Sequence, residues 1–393
     1  MTRDDVFGFS DDLHEVLVER ARSLRPMLEN AAAENEIRGE LTPGVVDAIT
    51  DAGFFAMFAP RRCGGLGVSC KTMMEVSVEL AKACPSTAWV VSIITNNTWT
   101  ASTFADPVQR RMFACGVPII CGPQYGMGKI ESDGGGFFAS GRWGYGSGSH
   151  HSTWAIMPCL MGEDPCMVAV PMSEVRIERD WDVAGMKGTG SDTVVAEKVR
   201  LDVDQIHRIL PPDKRPRSAF EPEPSDYWIP FPTLRVKALS IMLGIAEGLV
   251  EAILAGVSRP IVYSAFEQRQ NSPVWVAGVG EAAATIAAVR TILTDHAHRV
   301  DNAALARRPL DYAERAALRG EGAVATRMLE QAVDRLMSLA GSGAYRLAEP
   351  AQRLWRDFSV GARHIVLNTE LGFEVYGRSR MGMDPKVVMP EFV

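Results

Sequence analysis

The hydrophobic period of this chain changes twice, and that double change restricts its fold more than any single motif. In residues 1–116 apolar positions recur at helical spacing, as in Leu13, Val16, Leu17, Ala21, Leu24 and Leu28. Thr42-Pro43 supplies a cap followed by proline at the first helical position, and Gly53 stops that helix. Asp106-Pro107 repeats the start signal before residues 108–114. Beyond Pro85, Ser86-Thr87 opens a helix through Trp89, Val90, Val91, Ile93 and Ile94, apolar on most sides and therefore buried. From Val117 the period shortens. Apolar runs at 117–121, 136–143, 153–160, 167–170, 175–179 and 193–201 alternate with Gly, Ser, Asp and Pro clusters, which predicts an antiparallel β domain of about six to eight strands. Residues 211–232, rich in proline and charge, read as a surface loop. Residues 234–257, 274–306, 312–339 and 351–375 then return to long helical patterns, with Asp311 as a cap, and predict an antiparallel four-helix bundle. The expected class is α+β: an N-terminal helical domain (1–116), a central β domain (117–210), a linker (211–232) and a C-terminal bundle (233–393).

Composition removes several classes of function. The net charge of −7 is spread without a basic run, which disfavours nucleic acid and acidic membrane as partners. No apolar run reaches the roughly 20 residues that span a bilayer. The acidic start Met1-Thr2-Arg3-Asp4-Asp5 lacks the profile of a signal peptide. Seven cysteines, odd in number and without a Cys-x-x-Cys pair, predict buried reduced thiols. A cytoplasmic protein is expected.

The motifs offer limited chemistry by themselves. Walker loops, dinucleotide-type Gly-x-Gly-x-x-Gly turns, His-Glu-x-x-His and Gly-x-Ser-x-Gly are all missing from the sequence. His150-His151 and the His296/His298 pair do not place two rings on one helical face, so no metal site is expected, and the latter pair reads as solvated helix surface. Two glycine-rich loops remain, 144–149 and Gly188-Thr189-Gly190-Ser191. Each reads as a tight turn, or as a place where a flat aromatic cofactor approaches backbone N–H groups and small hydroxyls. Leu354-Trp355-Arg356-Asp357, with His364 seven residues past the aspartate, completes the set.

Taken together, the order of domains and motifs resembles the acyl-CoA dehydrogenase fold. Gly141-Arg142-Trp143 followed by Ser147-Gly148 is similar to the strand and loop that line the flavin ring in that superfamily. Trp181 through Gly185-Met186-Lys187-Gly188-Thr189-Gly190-Ser191 is similar to the next flavin-side segment. Gly341-Ser342-Gly343-Ala344-Tyr345, Pro350 and Trp355-Arg356-Asp357 resemble the approach to the last bundle helix. Ser147-Gly148, His151, Trp154, the Gly-Thr-Gly-Ser run and His364 resemble more closely the two-component flavin-dependent monooxygenases, which hydroxylate phenols such as 4-hydroxyphenylacetate or the aromatised ring of steroid catabolites. Two departures from the dehydrogenases support that branch. His364-Ile365 stands where the dehydrogenases carry a Tyr-Glu-Gly-Thr stretch, and residues 266–273 lack the Phe-Gly that grips the FAD diphosphate.

The resemblance implies that reduced FMN or FAD comes from a separate NAD(P)H:flavin reductase. Molecular oxygen adds at flavin C4a to give a hydroperoxide, whose distal oxygen passes to an aromatic substrate, phenolic and of one or several rings. His364 is the expected base, poised near neutral pH to form the phenolate. Ser147 is the expected hydrogen-bond partner of flavin N5. Trp143, Gly148, His151, Thr189, Gly190, Ser191 and Arg356 would complete the flavin site, with burial in the core as the alternative for Trp143, a structural place behind the loop for His151 and a purely structural pairing for Arg356. Trp89, Tyr125, Trp228 and Phe231 would line an aromatic pocket, and a homotetramer is implied. Oxygenation at nitrogen or sulfur, an acyl-CoA dehydrogenase, and a non-redox binding protein are the competing readings.

Overall fold

The computed structural model describes residues 7–208, 221–385, 387–388 and 393. Five helices open the chain: α1 (His14–Arg38), α2 (Pro43–Asp51), α3 (Cys70–Ala83), α4 (Pro85–Ala101) and α5 (Asp106–Met112). Proline stands in the first turn of α2, α4 and α5, where its missing N–H costs nothing. Ser69 caps α3 by accepting from the Thr72 N–H at 3.2 Å. As its all-round apolar pattern predicts, α4 is buried on nearly every side.

Eight strands follow among the described residues: β1 (Ile120–Cys121), β2 (Gly128–Ser132), β3 (Phe137–Trp143), β4 (Trp154–Met161), β5 (Asp164–Pro171), β6 (Arg176–Glu178), β7 (Thr193–Leu201) and β8 (Ile206–Arg208). They form one sheet in the order β6-β7-β3-β2-β4-β5-β8, with β1 also on β4. The expected antiparallel sheet is in fact mixed, because β1 and β2 both run parallel to β4. Strand β2 escaped the sequence pattern since Ile130 is its one buried large apolar residue.

Trp143 ends β3 fully buried in the sheet core, donating Nε1–H to the Pro158 carbonyl at 2.8 Å. A Cβ on Gly128 would lie 2.2 Å from the indole Cζ2, so that glycine exists to admit the ring. Trp143 therefore packs the β core, the second of the two roles open to it, and its place among the flavin-site residues is corrected. Trp143→Ala is expected to cost about 3–5 kcal/mol of folding stability, measured by denaturant unfolding.

The C-terminal half comprises α6 (Pro230–Leu254), α7 (Pro273–Leu305), α8 (Tyr312–Ala340), α9 (Pro350–Gly361) and α10 (Thr369–Arg380). The anticipated fourth helix at 351–375 is thus two helices. Between them a 3₁₀ turn spans Ile365–Leu367, and Asn368 caps α10 by accepting from the Leu371 N–H at 3.0 Å. The apolar run Ile365-Val366-Leu367 sustained the helical period across this break and concealed it. The bundle begins at Pro230, inside the expected linker, of which residues 211–220 lie outside the described residues.

Two further expectations change in this half. His296 is buried rather than solvated, with Nε2 3.0 Å from Glu321, because α7 packs along α8. By length and composition α7 would also suffice to cross a membrane, contrary to the sequence expectation. Here it is a bundle helix, and its Arg290 pairs with Glu75 and Glu247.

Candidate active site

The loop after β3, the loop before β7, helix α4 and the α9–α10 break converge. Gly148 adopts a left-handed φ of +73°, and a Cβ there would lie 3.0 Å from Ile94 Cδ1 and 3.1 Å from Val90 Cγ1 of α4. The loop thereby presses Ser147 onto the helix. The Trp89 Nε1–H donates to Ser147 Oγ at 3.3 Å, Ser147 and Ser191 hydroxyls lie 2.7 Å apart, Ser191 and Thr189 also 2.7 Å, and Thr189 Oγ1 donates to the Met186 carbonyl at 2.8 Å. An indole N–H only donates and a carbonyl only accepts, so the ends dictate the direction. Protons run Trp89 → Ser147 → Ser191 → Thr189 → Met186.

The foot of this chain is anchored on α9. Met186 holds a left-handed φ of +59°, unfavourable for a side chain with a Cβ. Its N–H donates to the Asp357 carboxylate, and Gly185 lies so flat on α9 that a Cβ would come 2.2 Å from the Arg356 carbonyl oxygen. Burial pushes the Asp357 carboxyl up to about 7. Asp357→Ala should release Met186 and weaken flavin binding by about tenfold, the usual scale of one buried charged hydrogen bond. Adding Met186→Gly, which removes the left-handed penalty, should restore part of it. Equal flavin affinity in wild type and Asp357→Ala, by anaerobic titration, would refute this role.

His364 stands at the helix break, where Nδ1 accepts from the Val366 N–H at 3.4 Å. Its ring meets the Trp89 ring edge-on, with centroids 5.2 Å apart. Burial pushes its pKa down to about 4, so it is a neutral acceptor and not the half-titrated base expected from an unperturbed imidazole. Arg235 grips the other end of Val366, its Nε–H donating to the Val366 carbonyl at 3.2 Å. Both terminal guanidinium nitrogens are buried without a hydrogen-bond partner among the described residues. Burial, followed by the nearby Arg319, pushes its pKa down to about 9. Sequence reasoning missed Arg235, since one arginine in a helical pattern carries no signal.

Trp89 is thus the hinge of the site, touching Ser147 on one side and His364 on the other. His151 is half-buried beside the loop, its pKa lowered by burial and its Nε2 without a hydrogen-bond partner among the described residues. Gly190 takes a left-handed φ of +52° against Gly39 and His150. Tyr125 is exposed and meets Tyr145 edge-on at 5.5 Å, which in turn meets Trp181 at 5.3 Å. Tyr145 is the outward aromatic of this loop, two residues beyond the inward Trp143. Strand alternation would place both on one face; the left-handed φ of +62° at Tyr145, past the end of β3, turns it outward, and the sequence carries no signal for that turn. Phe231 is partly buried on α6.

Two residues do not join the site. Trp228 is 2% exposed and packs among Phe9, Phe58 and Trp99, so it pins the N-terminal domain to the bundle and lines no pocket. Arg356 is committed to Glu36 at 2.6 and 3.0 Å, to the Ala184 carbonyl at 2.7 Å and to Gln352 at 2.8 Å, which is the structural alternative. The remaining set suits a flavin. A glycine-flanked loop admits a flat ring, the exposed aromatics offer it a wall, and His151 Nε2 and the Ser147 oxygen offer polar contacts.

Residues 11–116 match the acyl-CoA dehydrogenase N-terminal domain, and residues 238–369 match the acyl-CoA dehydrogenase C-terminal domain. The chain is 27% identical to the FADH(2)-dependent resorcinol hydroxylase, oxygenase component, of Rhizobium sp. (strain MTP-10005), over 95% of this chain and 96% of that one. It is 26% identical to the flavin-dependent monooxygenase, oxygenase subunit HsaA, of Rhodococcus jostii (strain RHA1), over 93% and 98%. The solved structure of XiaF from Streptomyces sp., in complex with FADH2 and glycerol, superposes with a TM-score of 0.90 at 27% identity, covering 97% of this chain and 98% of that one. With both terminal domains matched and its nearly full-length relatives of one kind, the chain belongs to the acyl-CoA dehydrogenase family and, within it, to the flavin-dependent monooxygenase oxygenase components.

Proposed function

We propose that this protein hydroxylates a phenolic aromatic substrate, using oxygen and reduced flavin supplied by a separate NAD(P)H:flavin reductase. The direction of the hydroxyl chain carries the reading. Ser147 has committed its proton to Ser191, so its oxygen meets a ligand only as an acceptor. Reduced flavin presents an N5–H donor where oxidised flavin presents a lone pair, and the site therefore prefers the reduced form. The relatives named as FADH(2)-dependent or bound to FADH2 support the same cofactor.

When bound, the reduced flavin supplies the oxygen-activating chemistry. The chain's own residues supply the rest. Ser147 orients the ring edge, and His151 offers a second polar contact. The neutral His364, whose Nδ1 already accepts from the Val366 N–H, presents Nε2–H as a donor to the phenolic oxygen, and the uncommitted N–H groups of Arg235 offset the negative charge that develops on that oxygen beside Val366. Trp89 keeps water from the space between the two halves. An amine or sulfide develops no oxyanion for these donors to hold, so the His364 and Arg235 pair favours a phenol over N- or S-oxygenation. Exposed apolar residues on α7, Val274 and Val276, support assembly into a homotetramer. Dependence on a diffusible product of an NAD(P)H reductase supports a cytoplasmic setting.

The test is to reduce FMN or FAD anaerobically with the protein and then mix with oxygen. A transient flavin absorbance that outlives free-flavin reoxidation, and decays faster with phenols, is expected. Reoxidation at the free-flavin rate would sink the proposal.

A further inference from the structure

Lys237 of α6 is fully buried and has no ion pair among the described residues. Its ammonium lies 4.2 Å over the Phe58 ring and donates to Asn96 Oδ1 of α4 at 2.9 Å. Burial lowers the Lys237 pKa to about 7, and in its ammonium form it can only donate, which orients the Asn96 amide: Oδ1 faces Lys237 and Nδ2 turns away. That Nδ2 donates to no other described residue.

Asn96 lies where a ligand could reach it. Trp89, Ile93, Asn96 and Thr100 share one face of α4 at helical spacing. Ile93, Asn96 and Thr100 are only partly buried on a helix otherwise closed on nearly all sides. On α6, which contacts α4, Phe231 and Leu234 are likewise the partly open positions of a stretch buried from 232 to 246. The two helices leave a seam, with Trp89 and His364 at one end. Asn96 is seven residues from Trp89, about 10 Å along the helix axis. That span exceeds one benzene ring with its hydroxyl.

We infer that Asn96, oriented by Lys237, donates a hydrogen bond to a carbonyl or similar acceptor at the far end of the substrate. The substrate is then an aromatic of at least two rings, with an acceptor opposite the hydroxyl held at His364. The identity of the near end rests on the phenol-hydroxylase reading; the Asn96 contact itself does not. Lys237 is a positioning residue in this arrangement, acting only through Asn96.

The experiment compares two ligands of one shape, 6-acetyl-2-naphthol and 6-isopropenyl-2-naphthol, in which a C=O is replaced by C=CH2. Equilibrium binding to the full-length protein is measured by dialysis, without flavin or turnover. Wild type should bind the acetyl compound about tenfold more tightly, the effect of one buried neutral hydrogen bond. Asn96→Leu should abolish the preference by weakening the acetyl compound alone, with Asn96→Ala as the second variant should leucine not fit. Lys237→Met, which frees the amide to flip, should reduce the preference severalfold. A purely structural Lys237 would leave the ratio unchanged. Equal affinities in wild type, no binding of either naphthol, or a preference that survives loss of Asn96 would overturn the inference. Failure of the oxygen-mixing experiment with this preference intact would count against the hydroxylase reading and leave the Asn96 contact standing.

Discussion

Replacing His364 with alanine should lower hydroxylation of a phenolic substrate by about 10²–10³-fold, the range of one lost donor to a developing oxyanion. The transient flavin absorbance after oxygen mixing should form as in wild type, so oxygen consumption would continue and end as hydrogen peroxide. The reason is positional. His364 meets the Trp89 ring from the bundle side, whereas Ser147 meets Trp89 from the β-domain side. Loss of the histidine removes the donor to the phenolic oxygen without touching the hydroxyl chain. Product yield per oxygen consumed is the decisive number; an unchanged yield would remove His364 from the chemistry.

The pH behaviour follows from burial. An imidazole held near 4 is neutral throughout the range where a free histidine titrates, so the wild-type hydroxylation rate should show no step near pH 6.5. The stability consequence has a definite sign. Between about 6.5 and 4 the unfolded chain binds a proton at this position that the folded chain refuses. Stability from His364 is therefore complete above pH 6.5 and is lost as pH falls toward 4, and His364→Ala should flatten that part of the profile.

Ser147→Ala should shorten the transient absorbance by about 10–10²-fold, the scale of one directed hydrogen bond in a closed site. It should also reduce the preference for reduced over oxidised flavin, because the acceptor facing N5–H is gone. Trp89 Nε1 and Ser191 would lose a partner at the same time, so thermal unfolding of the variant must be measured alongside. An unchanged lifetime and an unchanged redox preference in a folded variant would show that Ser147 only pins the loop to α4.

Much of this site was legible in the chain. The glycine loops at 144–149 and 188–191, the small hydroxyls of Ser147, Thr189 and Ser191, and a lone histidine after Arg356-Asp357 stood out as motifs, and the structure brings them together. The errors share one cause. Trp143 ends β3 inside the sheet core while Tyr145 is exposed; the pleat would give residues two apart one face, and the left-handed turn at Tyr145, which motif matching does not see, separates them. Arg356 carried the right charge for a phosphate but had already met Glu36, 320 residues away in sequence.

The sequence by itself determined the order of the elements and most of their starts, because hydrophobic period, proline at helix openings and side-chain caps such as Asp311 act over a few residues. It also determined the family, since that rests on the order and spacing of motifs. Tertiary structure alone decided that β1 and β2 lie parallel to β4, and that the last long apolar stretch breaks at His364. It likewise decided that Trp89 joins Ser147 to His364, that the hydroxyl chain has a single direction, and that burial takes His364 down to about 4. Strand pairing, desolvation and hydrogen-bond direction all depend on which distant residues come into contact, and periodicity names the face of an element without naming what that face will meet.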